Sequence, residues 1–136
     1  MRRMLLDTSA YSNLMRGNQK IAELLNEADE VFFCPIVLGE LLSGFKRGSK
    51  EQENKSVLKD FLSITNVRVL NIDESTAERY SMIIDYLKKN GTPIPTNDIW
   101  IAASAMQKGL CLLTTDRHFA LLPQILSEIV TALERI

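Results

Sequence analysis

Four acidic side chains interrupt stretches of sequence that are otherwise apolar or uncharged. Asp7 ends the short apolar run MLL, and Asp116 ends the run LCLLTTD. Glu40 lies inside PIVLGELLSGF, and Asp98 stands near the start of TNDIWIAASAM. Carboxylates that are brought together repel one another unless a cation compensates them, and Mg²⁺ and Mn²⁺ prefer carboxylate and water oxygen. Such a cluster, with one or two bound ions, can activate water and support in-line cleavage of a phosphodiester.

Each acid taken alone also has an ordinary structural explanation. Asp7 can cap the helix that follows it, and Asp98 is favoured by the dipole of the helix in whose first turn it lies. Asp116 can start a turn, and Glu40 can lie on the solvated edge of its helix. The catalytic interpretation therefore depends on whether the fold brings the four acids together.

Short apolar runs alternate along the chain with segments of helical periodicity, which is the pattern of a parallel sheet with crossover helices. The pattern predicts strands at residues 3–6, 31–33, 67–70 and 110–114. It predicts helices at residues 9–16, 19–27, 35–46, 50–63, 73–90 and 97–108, and an extended segment through the prolines of GTPIPT. We expect residues 129–133 to form an edge strand, with a short helix as the alternative.

The predicted topology can place all four acids at one edge of the sheet. Ligands of open parallel sheets bind outside the carboxyl ends of the strands, and Asp7 and Asp116 each follow such an end. Glu40 lies on the helix after the second strand, and Asp98 lies on the helix that leads into the strand before Asp116. Right-handed crossovers can bring these helices to the same edge. The sequence therefore predicts an α/β fold with a metal-dependent site formed by the four carboxylates.

The composition fits one globular domain, residues 1–136, with 46% hydrophobic and 24% charged residues. A net charge of −1 argues against an overall basic surface, so a nucleic-acid substrate needs local basic groups. The candidates are Lys46, Arg47, Arg117 and His118. The two cysteines have no metal-ligand spacing and form no disulfide framework. No apolar run is long enough for a signal peptide or a membrane span, so we expect a cytoplasmic protein.

Four segments, in this order and spacing, resemble the PIN-domain nucleases, and within them the VapC-type toxins of bacterial toxin–antitoxin pairs. The segments are LLDTSAYSNLMRG, CPIVLGELLSG, GTPIPTNDIWIAASAM and LLTTDRHFALLP. The resemblance covers essentially the whole chain. It implies a three-layer α/β/α sandwich with a central parallel sheet, Mg²⁺- or Mn²⁺-dependent endoribonuclease activity, a homodimer and inhibition by a cognate antitoxin. The run NGTPIPTND is similar to the subgroup that cleaves initiator tRNA.

The same resemblance assigns roles to particular residues. The family's metal-binding acids correspond to Asp7, Glu40, Asp98 and Asp116. Its polar residue two places before the last acid corresponds to Thr114, and Ser9 and Asn97 occupy positions that are commonly polar. We expect these three polar residues to support the acids, and Thr8 or Ser9 to cap the first helix in place of Asp7.

Inhibition by an antitoxin can also be anticipated from the acids. An arginine fork matches carboxylates bidentately, so we expect the antitoxin's C-terminal tail to place an Arg or Lys among the four acids. Its apolar residues are expected along a groove of the early helices that includes Leu14, Ile21 and Leu25.

Two other functions remain open at this point. A receiver-type phosphorylation domain also places acids at strand ends, but it needs an adjacent acidic pair where LLDTS has one acid. It also needs a lysine after a late strand, where LLTTD is followed by Arg117. The other alternative is a non-catalytic α/β module that binds RNA or a protein partner.

Overall fold

Five parallel strands form the central sheet, in the order β3-β2-β1-β4-β5. The structure is a computed structural model, and it describes residues 1–133. The strands are β1 (Arg3–Leu6), β2 (Glu30–Phe33), β3 (Val67–Val69), β4 (Cys111–Thr114) and β5 (Leu126–Ile129). The helices are α1 (Thr8–Met15), α2 (Gln19–Glu27), α3 (Pro35–Arg47), α4 (Glu51–Leu62), α5 (Glu74–Asn90) and α6 (Thr96–Lys108), and a 3₁₀ helix (Arg117–Leu121) precedes β5.

The strand order decides which face of the sheet each helix covers. The chain moves outward from β1 to β2 and β3, and then returns across the sheet to β4. Right-handed crossovers therefore put α1 to α4 on one face and α5 and α6 on the other. This arrangement is the expected three-layer α/β/α sandwich. The connections leave β1 and β4 in opposite directions, so a crevice opens between the carboxyl ends of these two strands.

The helix boundaries follow from local chemistry. Pro35 occupies the first turn of α3, where its missing N–H costs no hydrogen bond. Asp73 and Thr76 form a reciprocal capping box at the start of α5. Gly91 and Gly109 end α5 and α6 with φ angles of 64° and 63°, which a residue with a Cβ rarely adopts.

The two central strands and an aromatic cluster form the core. Leu5 in β1 and Leu112 in β4 are fully buried, and burying a side chain of this size contributes roughly 1.5–3 kcal/mol. Tyr11, Phe33 and Phe61 pack edge to face, with ring centroids 5.7–6.0 Å apart. The cluster joins α1 and α4 to β2, so the helix that follows Asp7 is held against the sheet.

The C-terminal segment differs from the prediction. The edge strand is β5, and residues 130–133 are not part of it, so the predicted strand at 129–133 is wrong beyond Ile129. The reason is a pair of buried asparagines in the α1–α2 region. The side-chain Nδ2 of Asn18 donates to the Thr131 carbonyl at 3.1 Å, and the backbone N–H of Leu133 donates to Asn13 Oδ1 at 2.8 Å. These side chains bind the backbone groups that a longer strand would use.

The structure also bears on the state of the two cysteines and on membrane-spanning helices. Cys34 is buried and Cys111 is half-buried, and both are free thiols. In residues 1–133 there is no helix with the length and apolar character needed to cross a membrane.

Candidate active site

The four acids face the crevice between the ends of β1 and β4. Asp7 follows β1 directly, and its amide donates to the Leu113 carbonyl of β4 at 3.0 Å. Asp116 lies two residues beyond β4, Asp98 lies in the first turn of α6, and Glu40 lies in the middle of α3. The charges of the other three acids all act on Asp98. The fold therefore brings together the four side chains that the sequence singled out.

Asp7 is a buried carboxylate held by two hydroxyls. It is 4% exposed, and its Oδ2 accepts hydrogen bonds from Thr114 at 2.7 Å and from Ser9 at 2.9 Å. Burial raises the pKa of Asp7, the hydrogen bonds from Thr114, Ser9 and the Thr8 amide lower it, and the charge of Glu40 raises it further. The net rise means that the ionised form lacks full compensation in the protein alone.

The expectation that Thr8 or Ser9 caps α1 is wrong. Asp7 itself occupies the N-cap position, and no side-chain capping hydrogen bond is made there. The Ser9 hydroxyl binds Asp7 and accepts from the Thr115 amide at 3.0 Å. The Thr8 hydroxyl donates to Glu40 Oε1 at 2.6 Å. Both hydroxyls are thus directed at the acids and not at the helix amides.

Thr114 links the ends of the two central strands. It is fully buried, and its Oγ1 donates to Asp7 and accepts from the Asp116 amide at 2.9 Å. The Ser9 hydroxyl lies 3.2 Å from the same oxygen. One hydroxyl therefore fixes the carboxylate after β1 relative to the backbone of the acid after β4.

Glu40 is oriented by polar groups from the helices on either side. The Thr8 hydroxyl binds Oε1, and the side-chain Nδ2 of Asn97 donates to Oε2 at 3.3 Å. Asn97 thereby acts on Glu40, although it adjoins Asp98 in sequence. Thr8 is the residue that sequence reasoning missed. Its position directly after Asp7 is the signal that the sequence offers, and helix capping accounts for the same position.

Asp98 carries the most perturbed carboxyl group in the site. Its side chain is 14% exposed, and its pKa is raised to about 6, first by burial and then by the charges of Asp7, Asp116 and Glu40. A hydrogen bond from His118 partly offsets this rise. Like charges are therefore gathered where a cation would relieve their repulsion.

Asp116 combines the two roles that its sequence position suggested. Its Oδ1 accepts from the His118 amide at 2.9 Å and so begins the 3₁₀ helix. The same oxygen lies 3.2 Å from His118 Nδ1, and that nitrogen lies 3.6 Å from Asp98 Oδ2. Capping a turn and facing the acidic crevice are compatible for this residue.

The basic residues predicted to contact RNA fall into two groups. Lys46 and Arg47 lie in the last turn of α3, and Lys46 pairs with Glu51 at 3.1 Å. Lys46 lies six positions after Glu40 in the helix, which corresponds to about 9 Å along the axis. Arg117 is exposed beside Asp116, whereas His118 faces the acids themselves.

The fold and site define a class: a three-layer α/β/α domain with an acidic site at the carboxyl ends of its two central strands. The profile of the PIN domain family matches residues 4–124. The chain is therefore a member of the PIN-domain family, and this membership removes the receiver-type alternative.

Ribonucleases of two bacteria are similar to this chain over most of its length. The chain is 30% identical over 96 residues to Ribonuclease VapC4 of Mycobacterium tuberculosis, covering 71% of this chain and 72% of the relative. It is 33% identical over 114 residues to Ribonuclease VapC1 of Haemophilus influenzae, covering 81% and 84% of the two chains. The fold superposes with a TM-score of 0.84 on the structure of VapBC-1 from nontypeable Haemophilus influenzae, at 25% identity over 93% of this chain and 97% of the other.

Proposed function

We propose that this protein is the ribonuclease toxin of a toxin–antitoxin pair, and that it cleaves RNA with the help of Mg²⁺ or Mn²⁺. The observation that carries this proposal is the convergence of Asp7, Glu40, Asp98 and Asp116 on one crevice. The VapC relatives are named ribonucleases, which supports RNA as the substrate class.

The donor set fits a hard divalent cation. Carboxylate oxygens come from four different parts of the chain. Burial raises the pKa values of Asp7 and Asp98, and the charges of neighbouring acids raise them further. Asp7, Glu40, Asp98 and Asp116 would hold the ion or ions. A divalent cation bound there would supply an activated water and would stabilise the charge that develops on a phosphodiester.

The polar residues of the chain position these carboxylates before any substrate binds. Thr114 and Ser9 both donate to Oδ2 of Asp7. Thr8 and Asn97 fix both oxygens of Glu40. Outer hydrogen bonds of this kind orient metal-binding side chains, and their loss typically costs about 10–100-fold in metal affinity or activity.

We infer a tRNA substrate, with initiator tRNA as the specific candidate, from the run NGTPIPTND, which extends from the last residue of α5 into the first turn of α6. This run ends at Asp98, so a substrate held by it would lie beside the acids. The exposed Arg117 directly follows Asp116, so it can contact a phosphate of a substrate bound beside the acids. Lys46 and Arg47 are farther away and would contact a more distant part of the RNA.

The direct test is cleavage of purified tRNA by the isolated protein. We expect cutting in Mg²⁺ or Mn²⁺, no cutting in EDTA, and no cutting by Asp7→Asn with either metal. Comparison of initiator tRNA with an elongator tRNA and an unstructured RNA tests the specific substrate. Binding of RNA without cleavage under all these conditions would instead support the non-catalytic alternative.

Two apolar cavities lined mainly by α1, α2 and α4 are candidate binding surfaces for an antitoxin tail. Between α1 and α4 a cavity of 170 Å³ is lined by Met15, Phe45 and Val57. A second cavity of 310 Å³ is lined by Leu14, Leu25 and Ile64, together with residues of β2 and β3. Exposed fractions of 46% for Met15, 43% for Val57 and 49% for Ile64 are high for apolar side chains.

The prediction that Ile21 lines the groove is wrong. Ile21 is fully buried because it lies on the face of α2 that packs into the core, whereas Leu14 and Leu25 do line the groove. We propose that the antitoxin tail follows this groove and places an Arg or Lys among the acids. If inhibition survived removal of that basic residue from the antitoxin, this mode of inhibition would be incorrect.

We also infer a homodimer. Met82 on α5 is 56% exposed and Ile72, just before α5, is 37% exposed, so this side of the molecule offers apolar surface to a second copy. The mass in solution without antitoxin tests the inference. A monomer at high micromolar concentration would contradict it.

A further inference from the structure

The single histidine of the chain lies against the acids. His118 Nδ1 is 3.2 Å from Asp116 Oδ1 and 3.6 Å from Asp98 Oδ2. One oxygen of each carboxylate and one ring nitrogen of His118 all lie within 4.8 Å of one another. Three donor atoms of two chemical kinds therefore surround a common point.

The two distances from His118 Nδ1, 3.2 and 3.6 Å, match the edges of a metal coordination sphere. With donors at about 2.1 Å from an ion, neighbouring donors are about 3.0 Å apart in an octahedron and about 3.4 Å apart in a tetrahedron. Opposite donors of an octahedron are about 4.2 Å apart. The three donors can thus share one ion with little movement of their side chains.

The local backbone fixes the position from which His118 reaches the site. The Asp116 carboxylate accepts the His118 amide, and the fully buried Phe119 anchors the following residue of the same turn. The His118 side chain remains 53% exposed. Its substitution should therefore alter the site without disturbing the core.

We propose that His118 supplies a nitrogen ligand to the divalent cation of this acidic site and so gives the site a preference for Mn²⁺ over Mg²⁺. Mg²⁺ prefers oxygen ligands almost exclusively, whereas first-row transition metals accept imidazole readily. A site built of carboxylates alone lacks this source of discrimination. The inference rests on the metal-dependent function proposed above, and it changes the role of His118 from an RNA contact to a metal ligand.

The test measures metal binding directly, in tag-free protein, by calorimetric titration with Mn²⁺ and with Mg²⁺. His118→Ala removes the donor, and His118→Asn replaces the ring nitrogen by an amide. We expect either change to weaken Mn²⁺ binding by about tenfold or more and Mg²⁺ binding by less than about threefold. Arg117→Gln is the matched control: it removes an adjacent positive charge and no ligand, so it should leave the ratio of the two affinities unchanged.

A spectroscopic readout identifies the ligand atom. Electron spin-echo envelope modulation of bound Mn²⁺ should show the coupling of a directly bound imidazole ¹⁴N in the wild type, and this coupling should vanish in both His118 variants. The alternative role of His118 is a cation that neutralises Asp98 and Asp116. That role predicts that the wild type shows no ¹⁴N coupling. It also predicts that the affinities for both metals rise equally when His118 is removed. This result would overturn the proposal.

The same experiment separates two kinds of failure. Mn²⁺ that binds the wild type without ¹⁴N coupling, and with an unchanged metal ratio in the variants, would overturn the role of His118 alone. A wild type that binds neither metal would instead overturn the metal-dependent function on which the inference rests.

Discussion

Replacing Asp98 by Asn removes one charge from the acidic site and keeps the shape of the side chain. The wild-type carboxyl group is mostly buried and lies among three other acids, so its ionised form is unfavourable in the metal-free protein. We therefore expect Asp98→Asn to abolish RNA cleavage and, in EDTA at neutral or alkaline pH, to unfold at a higher temperature than the wild type. Gain of stability with loss of activity is the signature of a site residue.

The magnitude follows from the pKa. An unperturbed aspartate has a pKa of 3.8, and burial and the neighbouring charges raise the pKa of Asp98 to about 6. At about 1.4 kcal/mol for each pKa unit, ionised Asp98 costs the folded protein about 3 kcal/mol. For a chain of this size each kcal/mol moves the melting temperature by about 3–4 °C, so the gain in Asp98→Asn is up to about 10 °C.

The raised pKa of Asp98 determines how the stability of the protein changes with pH. Because the folded state of the wild type binds the proton more tightly than the unfolded chain, the penalty is absent below about pH 4. It grows as the pH rises through the raised pKa and is complete above about pH 7. The advantage of Asp98→Asn should therefore be largest near pH 8 and should disappear near pH 4.

The assay compares thermal melts of three proteins in EDTA at both pH values: wild type, Asp98→Asn and Asp60→Asn. Asp60 is exposed on α4 and away from the acids, so its variant should melt like the wild type at pH 8. Adding Mn²⁺ at about 100 times its Kd should stabilise the wild type by about 2.7 kcal/mol and Asp98→Asn much less. Cleavage of tRNA is measured on the same samples.

Two results would refute this reasoning. An Asp98→Asn variant that melts at or below the wild-type temperature in EDTA at pH 8 would show that the acids do not repel one another there. A variant that keeps both cleavage and the metal-induced rise in melting temperature would remove Asp98 from the site. If Asp7→Asn also kept cleavage and the metal-induced rise in melting temperature, the nuclease assignment would be wrong.

Three further changes test the positioning of the site and its surroundings. Thr114→Val removes the buried hydroxyl that donates to Asp7, so it should lower cleavage by about tenfold or more and stability by about 1–3 kcal/mol, whereas Thr114→Ser should restore both in cleavage and urea-unfolding assays. Asn13→Ala removes the acceptor of the Leu133 amide and should cost about 1–3 kcal/mol in urea unfolding, with faster amide exchange at residue 133; slow exchange there would contradict the role of Asn13. Val57→Lys places a charge in the apolar groove at a side chain that is 43% exposed; antitoxin affinity should fall by about tenfold with RNA cleavage unchanged, and unchanged antitoxin affinity would remove Val57 from the interface.

Much of the fold was accessible from local sequence patterns. Apolar runs bounded by turn residues located the first four strands, and the glycines after α5 and α6 marked the ends of those helices. These features depend on interactions among residues close in sequence, which a pattern records directly. The predicted last strand extended past Ile129 because Asn18 and Asn13, which lie more than a hundred positions earlier in the chain, bind the backbone of Thr131 and Leu133.

The four acids could also be selected from the sequence, because a carboxylate in an apolar setting is unusual wherever it stands. The effects of bringing these acids together could not be predicted from the sequence. The raised pKa values of Asp7 and Asp98 depend on burial and on charges brought from distant elements, and neither quantity is written in local sequence.

The difference between what the sequence determines and what the tertiary structure decides is clearest for the hydroxyl and imidazole side chains. The sequence determined that Thr8 and His118 are polar groups next to or near an acid, and local propensity suggested a helix cap for one and an RNA contact for the other. The tertiary structure decided that Thr8 binds Glu40 and that His118 faces both Asp98 and Asp116. A short polar side chain has several possible partners of similar energy, so its partner is chosen by which elements the packed core brings within hydrogen-bond distance.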